Sequence, residues 1–199
     1  MPQLPSTATM TERLRGLTQA IHEKPVVLVT APAGYGKTTL IVTTLKAYKS
    51  RGGRICWYRL DETDRDLPSY YKHLTETLFP EDEKVWEEPR SYLDSCGDIA
   101  AQHQYINALF CQELWALENK HSGVKTFIVL DDFHHVRDVP EINNALRFFI
   151  DNLPPHCALI ISSRCETNLL TLKGKESICL PLKRLTNCGC GLSSCRKRW

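Results

Sequence analysis

Residues 31–38 place two glycines, a lysine and a threonine in the sequence APAGYGKT. Gly34 and Gly36 let the backbone bend so that successive N–H groups point into one concavity, which binds anions. The Lys37 ammonium would contact the β- and γ-phosphates of a nucleotide, and the Thr38 hydroxyl would bind Mg²⁺. This spacing therefore predicts a phosphate-binding loop, called the phosphate loop below.

The segments on either side of the phosphate loop support this interpretation. The apolar run 26–30 predicts a buried strand, and residues 39–42 begin a helical stretch whose free N–H groups and positive dipole end favour an anion. One position departs from the pattern G-x-x-x-x-G-K-[ST], because its first residue is Ala31. Most of the cradle comes from backbone after that point, so we still expect nucleotide binding.

A second candidate group is a pair of carboxylates, Asp131 and Asp132, which follows the apolar run 127–130. A buried strand would deliver Asp131 beside the phosphate loop, where hard oxygen ligands suit Mg²⁺. Asp132 would then orient or deprotonate the attacking water. The alternative is an ordinary turn after a core strand.

Arg164 ends a further apolar run, 158–162, and Asp61 ends the run 54–60. An arginine at the end of a parallel strand can contact the γ-phosphate, and its alternative is a solvated strand end. We treat Asp61 as a weaker candidate near the phosphates.

Strands alternate with helices along the chain, which predicts right-handed crossovers and a parallel sheet with helices on both faces. The predicted strands cover 26–30, 54–60, 126–130, 158–162 and 178–182, and the predicted helices cover 11–22, 39–50, 68–79, 99–117 and 140–152. The acidic segment 80–95 holds two prolines and is predicted to be a surface loop.

Four segments of the chain resemble the nucleotide-binding domain of MalT-type transcriptional activators and occur in the same order as in that family. These activators belong to the LuxR superfamily and to the STAND class of NTPases. The four segments are VTAPAGYGKTTL, WYRLDETDRD, FIVLDDFHHV and FFIDNLPPHCALIISSR. The resemblance implies an α/β P-loop NTPase fold with a five-stranded parallel sheet in the order 5-1-4-3-2. It predicts an NTPase domain over 25–182, preceded by a helical lead-in over 1–24.

The resemblance also implies roles for individual residues. Asp131 would serve Mg²⁺, Asp132 would be catalytic and Arg164 would be the sensor arginine. Thr11 opens the segment TERL, which is similar to a segment that contacts the nucleotide base in the family. The phosphates would contact Ala33, Gly34, Tyr35, Gly36, Lys37, Thr38 and Thr39. The implied cofactors are ATP or ADP with Mg²⁺, with weak hydrolysis at most and self-association through the NTPase domain.

The last seventeen residues, 183–199, do not resemble the family and show no apolar periodicity. We expect them to lack fixed structure. Since the winged-helix, sensor and DNA-binding domains of the family do not fit in this chain, we expect a truncated gene product that reaches DNA only through domains it lacks. Two alternatives are a small P-loop kinase, although no arginine-rich lid is visible, and a remnant without function.

The composition further limits the classes of protein to which this chain could belong. The chain is 42% apolar and 24% charged with a net charge of +2, which implies no general attraction to nucleic acid or membranes. No apolar stretch approaches a membrane span and no signal peptide is visible, so we expect a cytoplasmic protein without membrane contact. Its nine cysteines are odd in number and lie mostly in apolar runs or at C-x-C spacing in the tail, which argues against disulfides and zinc.

Overall fold

The computed structural model describes residues 12–79, 87–120, 125–165 and 177–181. Its strands form one parallel sheet in the order β2-β3-β4-β1-β5, which is the predicted order read from the other edge. The predicted α/β class with a parallel sheet is therefore confirmed. The strands are β1 (Val26–Thr30), β2 (Arg54–Arg59), β3 (Thr126–Asp131), β4 (Cys157–Ser163) and β5 (Ser177–Pro181), the last described by its backbone.

Apart from the first helix, which precedes β1, the helices of the described part lie between these strands along the chain, as expected, with one correction. The predicted loop 80–95 contains a helix over Glu87–Ser95. Its proline, Pro89, falls in the first turn, where a missing N–H costs no helical hydrogen bond. The helices are α1 (Glu12–Glu23), α2 (Lys37–Lys49), α3 (Leu67–Leu78), α4 (Glu87–Ser95), α5 (His103–Lys120) and α6 (Pro140–Asp151).

Two apolar clusters fill the two faces of the sheet, because successive side chains of a strand point to opposite faces. Val27 and Val29 of β1 pack with the apolar residues of α1 and α2. Val26 and Leu28 pack on the other face with those of α3, α5 and α6. Each strand from β1 to β4 has helices on both sides, and β1, β3 and β4 are buried along their whole length.

This architecture decides where functional side chains meet. All five strands run in the same direction, so their carboxyl ends share one edge of the sheet, which is where ligands bind in open α/β sheets. The phosphate loop follows β1, the two carboxylates end β3, and Arg164 follows β4. Within the described residues, every helix is too short or too polar to cross a bilayer.

Three tyrosines lie in the cluster between the sheet and α3: Tyr58, Tyr70 and Tyr71 are at most 4% exposed. The Tyr58 hydroxyl donates to Asp64 Oδ1 at 2.7 Å, and Asn107 Nδ2 donates to the Tyr71 hydroxyl oxygen at 2.8 Å. Burial raises the pKa of all three phenols well above the ordinary value, and the hydrogen bond to Asp64 adds to this effect at Tyr58.

The free energy of unfolding is therefore expected to fall steeply above about pH 10. These phenols ionise near pH 10 in the unfolded chain but keep their protons in the folded one, so their contribution is complete below pH 10 and lost as the pH rises. Each phenol contributes about 1.4 kcal/mol per pH unit to that slope. Urea unfolding between pH 9 and pH 11 in wild type and Tyr58→Phe measures it. An unchanged slope in the variant would contradict the assignment.

Candidate functional site

The backbone of the phosphate loop has the bends that its glycines allow. Gly34 and Gly36 have φ angles of 78° and 79°, which favour glycine, and Gly36 is the N-cap of α2. Ala31 does not share this conformation, since Asp132 is the one non-glycine residue with positive φ in the described part of the chain. The Ala31 N–H instead donates to Ser163 O of β4 at 3.2 Å. Alanine at the first pattern position is thus free of backbone strain.

Lys37 is buried at the base of the phosphate loop and is 7% exposed. Its Nζ donates to Ala31 O at 2.8 Å and to Pro32 O at 3.3 Å. Burial lowers the pKa of Lys37, whereas the nearby carboxylates of Asp132 and Asp131 act against that shift. The ammonium group is therefore held inside the concavity of its own loop, beside the two carboxylates.

Thr38 and Asp131 join the loop to the end of β3, although 93 residues separate them. The Thr38 hydroxyl donates to Asp131 Oδ2 at 3.1 Å. Asp131 is 2% exposed, and its Oδ1 accepts the Asp132 N–H at 3.1 Å. A hydroxyl and a carboxylate at this distance are a pair of hard oxygen donors, which suits Mg²⁺.

The described residues contain no group of three or more His, Cys, Asp or Glu side chains that could hold a metal ion on their own. A Mg²⁺ ion beside Thr38 and Asp131 would therefore need further oxygen ligands from a phosphate and from water, which is how this ion usually binds in nucleotide sites. The residues present fit a metal–nucleotide complex better than a free cation.

Asp132 has a left-handed backbone, with φ 58° and ψ 35°. This conformation costs a non-glycine residue on the order of 1 kcal/mol, although aspartate tolerates it better than most residues. A 3-10 helix over Phe133–His135, called the β3 turn below, follows directly, and His135 N donates to Asp132 O at 3.1 Å. The bend turns the Asp132 carboxylate toward Arg59 Nε at 3.5 Å and His134 Nδ1 at 3.7 Å.

His134 follows the two aspartates closely, and from the sequence we favour packing on the next helix over a catalytic role for it. Its side chain is 13% exposed, and neither buried ring nitrogen has a hydrogen-bond partner. Burial and the charge of Arg164 lower the pKa of His134, which keeps the imidazole neutral near pH 7. Unpaired buried polar atoms are rare, so these two nitrogens make His134 a candidate for contact with a polar ligand.

A second 3-10 helix, Glu62–Arg65, follows β2 and is called the β2 turn. Asp61, the weaker sequence candidate, caps this turn: its Oδ1 accepts the Thr63 N–H at 2.8 Å and the Thr63 hydroxyl at 2.6 Å. Those hydrogen bonds lower the pKa of Asp61. Its carboxylate is thus engaged in holding the turn.

The β2 turn also holds the β3 turn in place. Glu62 Oε1 lies 2.7 Å from His135 Nδ1, and Arg65 Nη1 donates to His135 O at 2.6 Å. Arg65 also makes two hydrogen bonds to the Asp138 carboxylate, at 2.9 and 3.0 Å. These contacts fix the backbone directly after Asp132.

The remaining predicted site residues lie around this centre. Arg164 is exposed directly after β4, and its charge lowers the pKa of both Lys37 and His134. Tyr35 packs against the cluster formed with α1 and α2. Ala33 and Gly34 are exposed in the loop, and Thr39 lies in the first turn of α2. Thr11 and the tail 183–199 lie outside the described residues.

The sheet, the phosphate loop and the carboxylates at the end of β3 together define a P-loop NTPase fold. Solved structures with similar folds include the Walker-type ATPase PABY2304 of Pyrococcus abyssi (16% identity, TM-score 0.52), which matches 86% of this chain and 52% of its own. The Aeropyrum pernix ORC1 protein, solved with DNA, has 17% identity and a TM-score of 0.51 over 85% of this chain and 44% of its own. Drosophila ORC bound to DNA has 16% identity and a TM-score of 0.55 over 84% and 41%.

At the level of sequence families, the chain belongs to the nephrocystin 3 N-terminal family, whose model matches residues 9–164. This family differs from the MalT-type family that the motifs resemble. Membership of the MalT type, and with it a role in transcription, therefore stays a prediction. The chain spans about half or less of the length of the solved structures named above.

Proposed function

We propose that residues 25–182 form a domain that binds ATP or ADP together with Mg²⁺. The observation that carries this proposal is the hydrogen bond from Thr38 to Asp131. It joins the phosphate loop to the carboxylate of a buried strand, and those two groups are the ones that a nucleotide-bound Mg²⁺ requires.

In this proposal each group has a separate task. The N–H groups of residues 33–39 bind the phosphates, and Lys37 neutralises charge on the β- and γ-phosphates. Thr38 and Asp131 hold Mg²⁺, which neutralises phosphate charge when bound. Arg164 contacts the γ-phosphate, since it shares the site with Lys37, and Thr11 contacts the base.

Asp132 is the proposed residue that orients or deprotonates the attacking water, because its carboxylate lies beside the Lys37 charge. We propose that hydrolysis is weak, so that the domain acts as a switch between ATP and ADP states rather than as a metabolic enzyme. As a switch of the STAND class, it would self-associate in one nucleotide state. Regulation of transcription in the MalT manner would need DNA-binding domains outside this chain.

Thermal unfolding of the wild-type chain tests nucleotide binding directly. ATP and ADP with Mg²⁺, at about 100 times the dissociation constant, are expected to stabilise the fold by about 2.7 kcal/mol and to raise the melting temperature by about 5–10 °C. AMP lacks the β- and γ-phosphates that Lys37 would contact, so it is the matched ligand control and should give little shift. The proposal fails if no nucleotide raises the melting temperature or if AMP works as well as ATP. GTP in parallel measures base selectivity.

A further inference from the structure

Arg59 is a charged residue at the candidate site to which the proposed function gives no task. It is the last residue of the edge strand β2 and lies in register with Asp131 of β3. Its Nε is 3.5 Å from Asp132 Oδ2. The arginine side chain is 76% exposed, whereas the Asp132 side chain is 16% exposed. The contact therefore joins a solvated cation to a largely buried carboxylate.

This contact brings a positive charge next to one oxygen of the Asp132 carboxylate. A carboxylate has two oxygens; Oδ2 faces Arg59, and Oδ1 faces His134 Nδ1 at 3.7 Å. A water molecule that Asp132 orients must bind one of these oxygens. A water molecule at Oδ2 would share this oxygen with the guanidinium group, whose charge draws the carboxylate toward the edge strand β2.

Arg59 and Arg164 occupy different positions relative to the proposed phosphate site. The charge of Arg164 acts on Lys37, which lies in the phosphate loop. Arg59 meets Asp132 from the edge of the sheet and is mostly in solvent, where its charge is screened. Loss of Arg59 should therefore cost the phosphates little attraction while freeing Asp132.

We propose that Arg59 is a positioning residue that restrains hydrolysis by engaging the Asp132 carboxylate. This inference rests on the proposed function, in which Asp132 orients the attacking water. Because an exposed ion pair is worth at most about 1 kcal/mol, its removal corresponds to a rate increase of about three- to fivefold.

The test compares steady-state ATP hydrolysis in wild type, Arg59→Ala and Arg59→Lys. We expect Arg59→Ala to raise kcat about three- to fivefold with KM for Mg·ATP changed less than about twofold, and Arg59→Lys to lie between it and the wild type. Arg147→Ala is the matched control, because this exposed arginine lies on α6, and it should leave kcat unchanged. If Arg59→Ala still binds Mg·ATP but its kcat is no higher than that of the wild type, the proposed restraint is wrong. The same conclusion holds if neither the wild type nor Arg59→Ala hydrolyses ATP.

A second readout is independent of turnover. In the nucleotide-free protein, the ¹⁵N resonance of Arg59 Nε is expected to shift when Asp132 is replaced by asparagine, and not in Arg147→Ala. An unchanged resonance overturns the inference. These results differ from those expected if the proposed function is wrong, because in that case nucleotide does not stabilise the wild type.

Discussion

Replacing Lys37 by alanine is expected to weaken the binding of Mg·ATP by on the order of 100-fold, measured from the dependence of the melting temperature on nucleotide concentration. The proposed contacts of the ammonium group are charge-assisted hydrogen bonds to the β- and γ-phosphates, each worth about 1.5–3 kcal/mol. Alanine removes both the charge and the donors. At a nucleotide concentration that saturates the wild type, the variant should show almost no stabilisation.

The matched control for this experiment is Lys49→Ala. Lys49 lies in the last turn of the same helix, α2, and is exposed, so it is the same residue type far from the phosphate loop. It should retain the wild-type response. Lys37 also donates to two carbonyls of its own loop, and Lys37→Arg therefore serves as a second variant that keeps the charge. Wild-type affinity in Lys37→Ala would contradict the proposed site.

Asp131→Asn is expected to abolish the part of ATP binding that depends on Mg²⁺, with an effect on affinity of about 10- to 100-fold in the presence of the metal ion. Asparagine has nearly the same shape as aspartate. Its Oδ1 can still accept the Asp132 N–H, and its amide group can donate to the Thr38 hydroxyl. The loop and the β3 end should therefore stay joined while the negative charge that attracts Mg²⁺ is lost.

The measurement is a titration of ATP in wild type and Asp131→Asn, with Mg²⁺ and with a chelator. The variant should bind ATP equally well in both conditions, whereas the wild type should bind more tightly with Mg²⁺. Asp151→Asn is a suitable control, since this exposed carboxylate is the last residue of α6. An equal gain from Mg²⁺ in wild type and variant would show that Asp131 does not hold the metal ion.

The sequence predicted the phosphate loop and the neighbouring carboxylates because local patterns determine both. An apolar run long enough for one buried strand, followed by glycines or by aspartates, indicates the residue at which the chain leaves the sheet. Parallel pairing then brings the carboxyl ends of β1 and β3 to one edge. These features needed no knowledge of which strands are neighbours.

Other features depended on contacts that no local pattern encodes. The Arg59–Asp132 pair requires β2 to lie beside β3 in one particular register. The contacts of Arg65 and Glu62 with His135, which hold the β3 turn, join residues that lie about seventy positions apart in the chain. Helix α4 was missed for a different reason, since its proline and acidic residues also occur in loops.

Ala31 has a consequence for how such loops are detected in other sequences. Its backbone is one that any residue adopts, while its side chain is 3% exposed between the sheet and its helices. The constraint at this position is therefore the volume of the side chain and not the flexibility of glycine, so that alanine is compatible with it. A motif search that demands glycine at the first position would pass over this chain, and it would pass over any relative that made the same exchange.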